Sequence, residues 1–565
     1  MKSRFSKILP LTALAFLALG SCTPGESGGV VDSENGDDKV YKADHYDSNG
    51  NLIISFFGID LDSLQSQTED TKKIMDVIQK KFQVSFTYVN GSAANWQTVL
   101  NQYAGSGDLA DVFFHELNEP MYSTLRQDDY LFNFEKYLDD YPNLKAAFAR
   151  YDSKALKTYL GGGLYGFPIV QDDTTDSDIV NQHGMYYRRD WYDNLVKKGY
   201  VPKSGRSLVD PEDPSFNYLN FYDLCEGYTY GDPDGNGKRD TYGYALTKEG
   251  GGYWFYPILS LFGVAYDTWS YDEGKGLWQP DCISDQTKEA LDFMAKMYDE
   301  GLLSQNYATS LSQTQMKNEY INGQAGMMSF NTNYNIGEGI LELMEQYTTS
   351  GIELKDVCRA MPAITGTDGK KHVYGYSNRY GFRSINDDVS PTKKKKIMEI
   401  MDWMLTEEGM DLLNYGIEGV HYEVGANGEK VSLLGKNANG VNRSLYDSDC
   451  APGIYRIKGL VSWSTIIPTH IKHYEEQMQL INAWEPQYLF ANPLRYCSVD
   501  PSFGTRKIQL DDQITSAFQY IVGKHTDEER DAKWSSYVSK YASDARNYII
   551  AMNQSAEEIG VSHNG

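Results

Sequence analysis

The stretch NLIISFFGIDLDSLQSQTEDTKKIMDVIQKKFQVSFTYV (51–89) decides the fold. Its first nine residues form an apolar run of strand length. Residues 68–82 then place Ile74, Val77, Ile78 and Phe82 at helical spacing, with charges on the other face. VSFTYV (84–89) is β-branched and aromatic, which suits a second strand. ANWQTVLNQYAGSGDLADVFF (94–114) adds a helix, a Gly-Ser-Gly break and a third strand. Strands joined by helices of this length lie in a parallel sheet with the helices packed on it. Ligands of such sheets collect at the carboxyl ends of the strands, which points to His115 and Glu116.

A second alternating region comes next in the chain. It contains MYYRRDWYDNLVKKG (185–199), GGYWFYPILSLFG (251–263) and DQTKEALDFMAKMYDEG (285–301). In the last, Ala290, Leu291, Met294 and Met297 form one apolar stripe, and Gly301 stops the helix. QAGMMSFNTNYN (324–335) reads as a buried strand running into a polar, aromatic loop, and GYSNRYGF (375–382) as a crossing back to the first region. KKKKIMEIMDWMLTEEGMDLLNYG (393–416) reads as a long helix with its lysines in solvent. Residues 425–455, rich in Gly and Asn, read as an inserted hairpin or loop. Thr526 and Glu529 form a capping box ahead of a C-terminal helix.

The N-terminus bears on compartment. MKSRFSK is basic, ILPLTALAFLAL is a short apolar run, and small residues precede Cys22. This is the pattern of an export signal, too short for an ordinary membrane span. Leu-Gly-Ser-Cys resembles a bacterial lipobox, which makes Cys22 a lipidated first residue of the mature chain; the plainer reading is an ordinary signal with a chance cysteine. Residues 23–50 have almost nothing to bury and read as a flexible tether. A net charge of −26 over 565 residues argues against nucleic acid or anionic lipid as partners. The 44 tyrosines suit amphipathic ligands, and equally the packing of two large cores. Five cysteines beyond Cys22, widely spaced and without C-x-x-C, indicate neither a zinc knuckle nor a redox motif.

These landmarks, in this order, resemble the bacterial extracellular solute-binding proteins, family 1, and within them the lipoprotein-type oligosaccharide binders of ABC importers. SGDLADVFF (106–114), MYYRRDW (185–191, with Arg189 where lysine is usual), TKEALDFMAKMYDEGLL (287–303), NYGIEGVHYE (414–423) and DPDGNGKRDTYG (232–243) carry the resemblance. It implies a two-lobed α/β fold of the periplasmic-binding-protein type, type II topology, with hinge-crossing segments and a central ligand cleft. Lobe 1 is then 51–168 plus 378–450, and lobe 2 is 169–377 plus 451–560. The implied function is capture of an oligosaccharide in the cleft and its delivery to permease subunits. The implied state is a monomer, lipid-anchored on the extracellular face of the cytoplasmic membrane.

Sugars present hydroxyls to charged and amide groups and C–H faces to aromatic rings. The candidate ligand contacts are Trp254 after a glycine run, Asn333 and Tyr334 after a buried strand, and Arg379 at the crossing. Glu418, His421 and Tyr422 lie in the loop that the resemblance places at the cleft. Glu116 joins them, and Trp96 and Tyr187 are further candidates that core packing would equally explain. Glu418 has a competing role too, in fixing its own loop. A peptide-binding or sensing lipoprotein of the same fold remains an alternative. A surface carbohydrate-active enzyme is a weaker one, since no nucleophile elbow, H-E-x-x-H helix or phosphate loop occurs.

GDPDGNGKRDTYG (231–243) places Asp232, Asp234, Asn236, Lys238 (through its carbonyl) and Asp240 at calcium-loop positions one, three, five, seven and nine, with Gly237 at the turn. Position twelve is Gly243, where an EF-hand has glutamate, and the TYGYAL run (241–246) alternates like a strand. The expectation is therefore a structural Ca²⁺ staple within 232–243 and not a sensor. A metal-free Asx-turn loop is the alternative.

Overall fold

The structure is a computed structural model. It describes residues 30–31, 40–59, 61–91, 96–113, 124–150, 157, 160–170, 184–247, 256–265, 268–307, 312–330, 340, 343–349, 351–374, 379–435, 443–447, 449–462, 489–490, 492–494, 497, 499, 516–517, 519–523 and 525–562.

The opening stretch folds as its pattern requires. Strand β1 (Leu52–Ile59) buries Leu52, Ile54, Phe56 and Phe57. Helix α1 (Glu69–Phe82) begins where the Thr68 hydroxyl accepts the Thr71 N–H and ends at Gln83, with φ of 54°. A cap of this kind contributes about 1 kcal/mol. The buried stripe of α1 is Thr71, Ile74, Met75 and Ile78, whereas Val77 is 37% exposed. Val77 lies roughly a third of a turn from the centre of that stripe, so the expected face was rotated. Strand β2 (Val84–Gly91) runs parallel to β1, from Leu52 opposite Val84 to Ile59 opposite Gly91. Helix α2 (Trp96–Ser106), β3 (Val112–Phe113) and β4 (Phe167–Val170) complete this part of the chain.

The chain then builds a second sheet. Its elements are β5 (Gly184–Arg188), α3 (Arg189–Lys198), α4 (Tyr218–Tyr230), β6 (Tyr242–Ala245), α5 (Asp285–Asp299), β7 (Ala325–Phe330) and β8 (Cys358–Ala360). Strand β9 (Arg379–Ile385) returns to the first sheet and lies antiparallel between β3 and β4. The strand orders are β2-β1-β3-β9-β4 and β8-β5-β7-β6. Helices α6 (Pro391–Met404) and α7 (Glu407–Tyr415) replace the single long helix expected, because Thr406 caps a new start. The chain continues through α8 (Pro452–Lys458), α9 (Asp527–Asp544) and α10 (Arg546–Ile559). The Thr526–Glu529 capping box is formed at the start of α9.

Each sheet has its own core. One gathers β1 to β3, α1, α2, α6 and α7 through residues such as Ile54, Phe113, Ile397 and Leu413. It continues through Ala451, Ile454, Ile457, Leu460 and Val461, past residue 450, because α8 turns its apolar face onto α1 and its neighbours. The other centres on Tyr186, Tyr187, Tyr228, Tyr244 and Tyr320, all under 3% exposed, so much of the tyrosine enrichment packs lobe 2. Burying each such side chain contributes about 1.5–3 kcal/mol. Cys225, Cys282, Cys358, Cys450 and Cys497 are buried, and no disulfide joins them among the described residues.

Two charged segments depart from expectation. Lys393 and Lys394 are buried, unlike a solvated helix end. Lys393 Nζ lies 3.0 Å from Asp111 Oδ2, which also accepts the Ser55 N–H at 2.7 Å. Lys394 pairs with Asp387 at 2.8 Å and covers the Tyr41 ring. Residues 40–50, assigned to the tether, pack on lobe 1 instead. The Lys42 N–H donates to Asp388 O at 2.8 Å, its ammonium to Leu109 O at 2.8 Å, and Ser390 Oγ to Asp44 at 2.6 Å. Leu109 and Asp388 adjoin the edge where the parallel strands begin, opposite their carboxyl ends.

Candidate functional site

The turn after β1 leads into α1, so the N-terminus of α1 lies at the carboxyl edge of the first sheet. Asn90, near the end of β2, orders this edge: its Oδ1 accepts the Leu61 N–H and its Nδ2 donates to Asp62, both at 3.0 Å. Neither Asn90 nor Asp62 stood out in the sequence, because each holds a turn and belongs to no motif. Trp96 sits beside them, 9% exposed in the first core. A Cβ on Gly91 would lie 2.9 Å from the Trp96 Cα, so glycine lets α2 approach β2.

The 416–422 loop docks on the start of α1. Gly416 has φ of 84°, and a Cβ there would meet His421 Nδ1 at 2.6 Å, so the loop folds back onto the imidazole. His421 Nδ1 accepts the Ile417 N–H at 2.9 Å, and Nε2 faces Asp70 in the first turn of α1 at 3.4 Å. The ring is 1% exposed. Burial lowers its pKa from the ordinary value, and Asp70 partly opposes that. Tyr422 is also buried, with its ring 5.7 Å from that of Tyr415. Both residues build the loop from inside, and Glu418 is the exposed one of the three candidates.

Tyr187 is fully buried, and its hydroxyl donates to Glu212 at 3.0 Å, where Arg359 also binds at 2.6 Å. Packing in the second core accounts for it, so its face is not offered to a ligand. Arg379 opens β9 opposite Val170, the last residue of β4, and its side chain lies outside the described residues. Glu116, Trp254, Asn333, Tyr334 and Cys22 lie outside them as well. In sequence, Glu116 follows the end of β3 by three residues and Asn333 follows the end of β7 by three.

The aspartate-rich loop joins α4 to β6. Asp232, Gly235 and Gly237 all have φ between 50° and 75°, which bends the loop over 232–237. The Gly237 N–H donates to Asp232 at 3.0 Å, and the Lys238 N–H to Asn236 Oδ1 at 2.7 Å. The Asn236 amide donates to Asp234 at 2.7 Å and to Asp240 at 3.2 Å. Lys198 of α3 reaches Asp232 Oδ2 at 2.8 Å. Burial and the neighbouring Asp240 and Asp232 raise the Asp234 pKa. Thr241 is turned inward, its hydroxyl on Tyr228 O at 2.8 Å. Among the described residues no group of three acidic, thiol or imidazole side chains closes on one metal position. An amide and a lysine now take the places where positive charge is wanted, and strand β6 stands where a sensor loop has its exiting helix.

The sequence profile described as bacterial extracellular solute-binding protein matches residues 65–411. The chain belongs to that family. Among relatives of this solute-binding protein, Lipoprotein LipO of Bacillus subtilis (strain 168) is 28% identical over 404 residues, covering 69% of this chain and 70% of its own. The polygalacturonan/rhamnogalacturonan-binding protein YtcQ of the same organism is 27% identical over 293 residues, 51% of either chain. Among solved structures, the Streptococcus pneumoniae ABC-transporter substrate-binding protein FusA, as an EF-hand mutant with fructo-nystose, superposes with a TM-score of 0.60 at 17% identity. That match covers 90% of this chain and all of FusA. The fold is thus the two-lobed α/β architecture of the extracellular sugar-binding proteins. No helix among the described residues is long and apolar enough to cross a membrane.

Proposed function

We propose that this solute-binding protein captures an oligosaccharide outside the cell, in a cleft between its two lobes, and delivers it to the permease subunits of an ABC importer. On this reading the chain is a lipid-anchored monomer held through Cys22, and it leaves its ligand chemically unchanged. Lobe 1 comprises 51–168 and 378–461, and lobe 2 comprises 169–377 and the remainder to about 560. The observation that carries the reading is the exposed Glu418, on a loop that docks on the start of α1 at the carboxyl edge of the first sheet. Glu116, Asn333 and Tyr334 follow the carboxyl ends of their strands in sequence, which supports a shared polar and aromatic cleft. Closure is driven only by contacts that differ between open and closed forms, so both lobes must supply them. Calorimetric titration against varied oligosaccharides, with recovery of the ligand, tests this. Saturable binding with intact ligand is expected; product formation, or a peptide binding in place of every sugar, would overturn it.

We further propose that the 232–240 loop holds a structural Ca²⁺. The donor set suits a hard cation, and such a cation would relieve the burial and the neighbouring Asp240 and Asp232 charges that raise the Asp234 pKa. Asp232, Asp234, Asn236, Asp240 and the Lys238 carbonyl would hold it, with Lys198 released from Asp232. The ion would stiffen the turn between α4 and β6 and take no part in ligand capture.

A further inference from the structure

We infer that the flank of lobe 2 carries a second small-ligand site, for a single sugar ring bearing a carboxylate, between α5, α9 and Ser516, Ala517, Gln519 and Tyr520. A cavity of about 240 Å³ lies there, with Leu291 from the middle of α5 as its floor and Tyr520, Trp534 and Tyr537 as its walls. Its volume falls below the roughly 300–1,000 Å³ of sites for drug-sized ligands, which suits one ring and not a chain. The residues proposed for the inter-lobe cleft follow strand ends, whereas this cavity opens along a helix flank.

Three observations give the cavity its chemistry. Trp534 is only 7% exposed and lines the cavity, and its indole N–H makes no protein hydrogen bond among the described residues, nor is it sealed from solvent. An indole N–H left open in a cavity wall is available to a ligand oxygen. The rings also form an angled cup: Trp534 and Tyr537 are 5.3 Å apart at 43°, and Tyr520 and Trp534 are 6.4 Å apart at 73°. Such a cup receives the C–H face of a pyranose. Finally, Lys533 and Lys540 reach the cavity from the same face of α9, two turns apart. Lys533 contacts His525 Nε2 at 2.5 Å, and Lys540 has no carboxylate partner among the described residues.

The acidic groups nearby are already engaged. Asp292 receives the Tyr520 hydroxyl and Lys288, Asp531 pairs with Lys288 at 2.9 Å, and Asp299 pairs with Arg530 at 2.9 Å. In a chain of net charge −26, a lysine left over at an aromatic cavity, with a second lysine beside it, marks a place for an anion. The ring supplies the apolar face, its oxygens take the indole N–H, and its carboxylate meets Lys540.

The test is titration of the full chain with galacturonate and, in parallel, with neutral galactose, followed by tryptophan fluorescence and calorimetry. Galacturonate should bind saturably and galactose about tenfold more weakly. Lys540→Ala should weaken galacturonate about tenfold, and Trp534→Phe, which keeps the ring and deletes the N–H, should weaken it severalfold. Lys540 is exposed, so Lys540→Glu remains informative if the tryptophan variant does not fold. Glu418→Gln should leave this binding unchanged, which separates failure here from failure of the cleft reading. Galacturonate binding that ignores the Lys540 and Trp534 variants, or no saturable binding at millimolar concentration, would overturn the inference.

Discussion

Two loops of this molecule look alike in sequence and are built in opposite ways. The 416–422 loop of lobe 1 and the 232–240 loop of lobe 2 are both bent by glycine and both carry acids. In the first, the polar groups turn inward: a buried imidazole takes the Ile417 N–H and faces Asp70, leaving Glu418 to solvent. In the second, three carboxylates gather at the surface around an amide and a lysine. Polar groups turned inward suit a loop that presents one outward group to a ligand. Carboxylates drawn together around an amide suit a loop that takes a small cation.

The contrast can be broken at several points. His421→Ala should have the largest effect, about 3 kcal/mol of stability by denaturant titration, because it leaves a cavity and an orphaned Ile417 N–H. Glu418→Gln should leave stability within about 0.5 kcal/mol while weakening oligosaccharide binding. If the two results were exchanged, the inward and outward roles would be wrong. Calcium at a hundredfold excess over its dissociation constant should stabilise by about 2.7 kcal/mol, seen as a raised Tm that chelator reverses and Asp234→Asn abolishes. An unchanged Tm at millimolar calcium would leave the lobe 2 loop an ordinary turn. Lys198→Met, which removes the competing ammonium, should tighten calcium binding.

Glycine sharpens the comparison further. Gly416→Ala drives a Cβ into His421 and should cost about 2–3 kcal/mol. Gly235→Ala meets nothing within 4 Å and should cost only about 1–2 kcal/mol, for its φ of 74°. Equal costs would mean that the imidazole does not set the path of the lobe 1 loop.

The smallest effect concerns pH. Burial, with Lys73 adding to it and Asp70 opposing, lowers the His421 pKa in the folded state. As pH falls, the unfolded chain therefore takes up this proton first. The contribution is complete above about pH 6.5 and is lost below it, by no more than about 1.4 kcal/mol for each pH unit crossed. A His421→Gln variant with the same acid-side profile as the parent would remove histidine from the account.

The first sheet was legible because the apolar run of β1, the helical stripe of α1 and the β-branched, aromatic make-up of β2 each report their element. The error at Val77 is one of phase: the face chosen depends on which neighbour α1 meets. The buried Lys393 was illegible because its partner, Asp111, is distant in sequence and only β3 and α6 together bring them close. The candidate site suffered most. His421, Tyr422 and Tyr187 are residue types that suit sugars, and nothing in composition tells a satisfied, buried hydroxyl or imidazole from one held out to a ligand. Asn90 and Asp62 failed in the opposite sense, since turn-holding residues follow no period. The calcium-loop spacing was plain in sequence, while Lys198 entered from a helix more than thirty residues earlier.

The arm at residues 40–50 has a mechanical consequence. It is pinned beside Leu109, Asp388 and Ser390, at the heel of lobe 1 and away from the strand ends. With the anchor proposed at Cys22, the pull of the membrane would reach the protein through the back of one lobe. Closure of the cleft proposed above would then do no work against that anchor, and capture would stay where solution chemistry sets it.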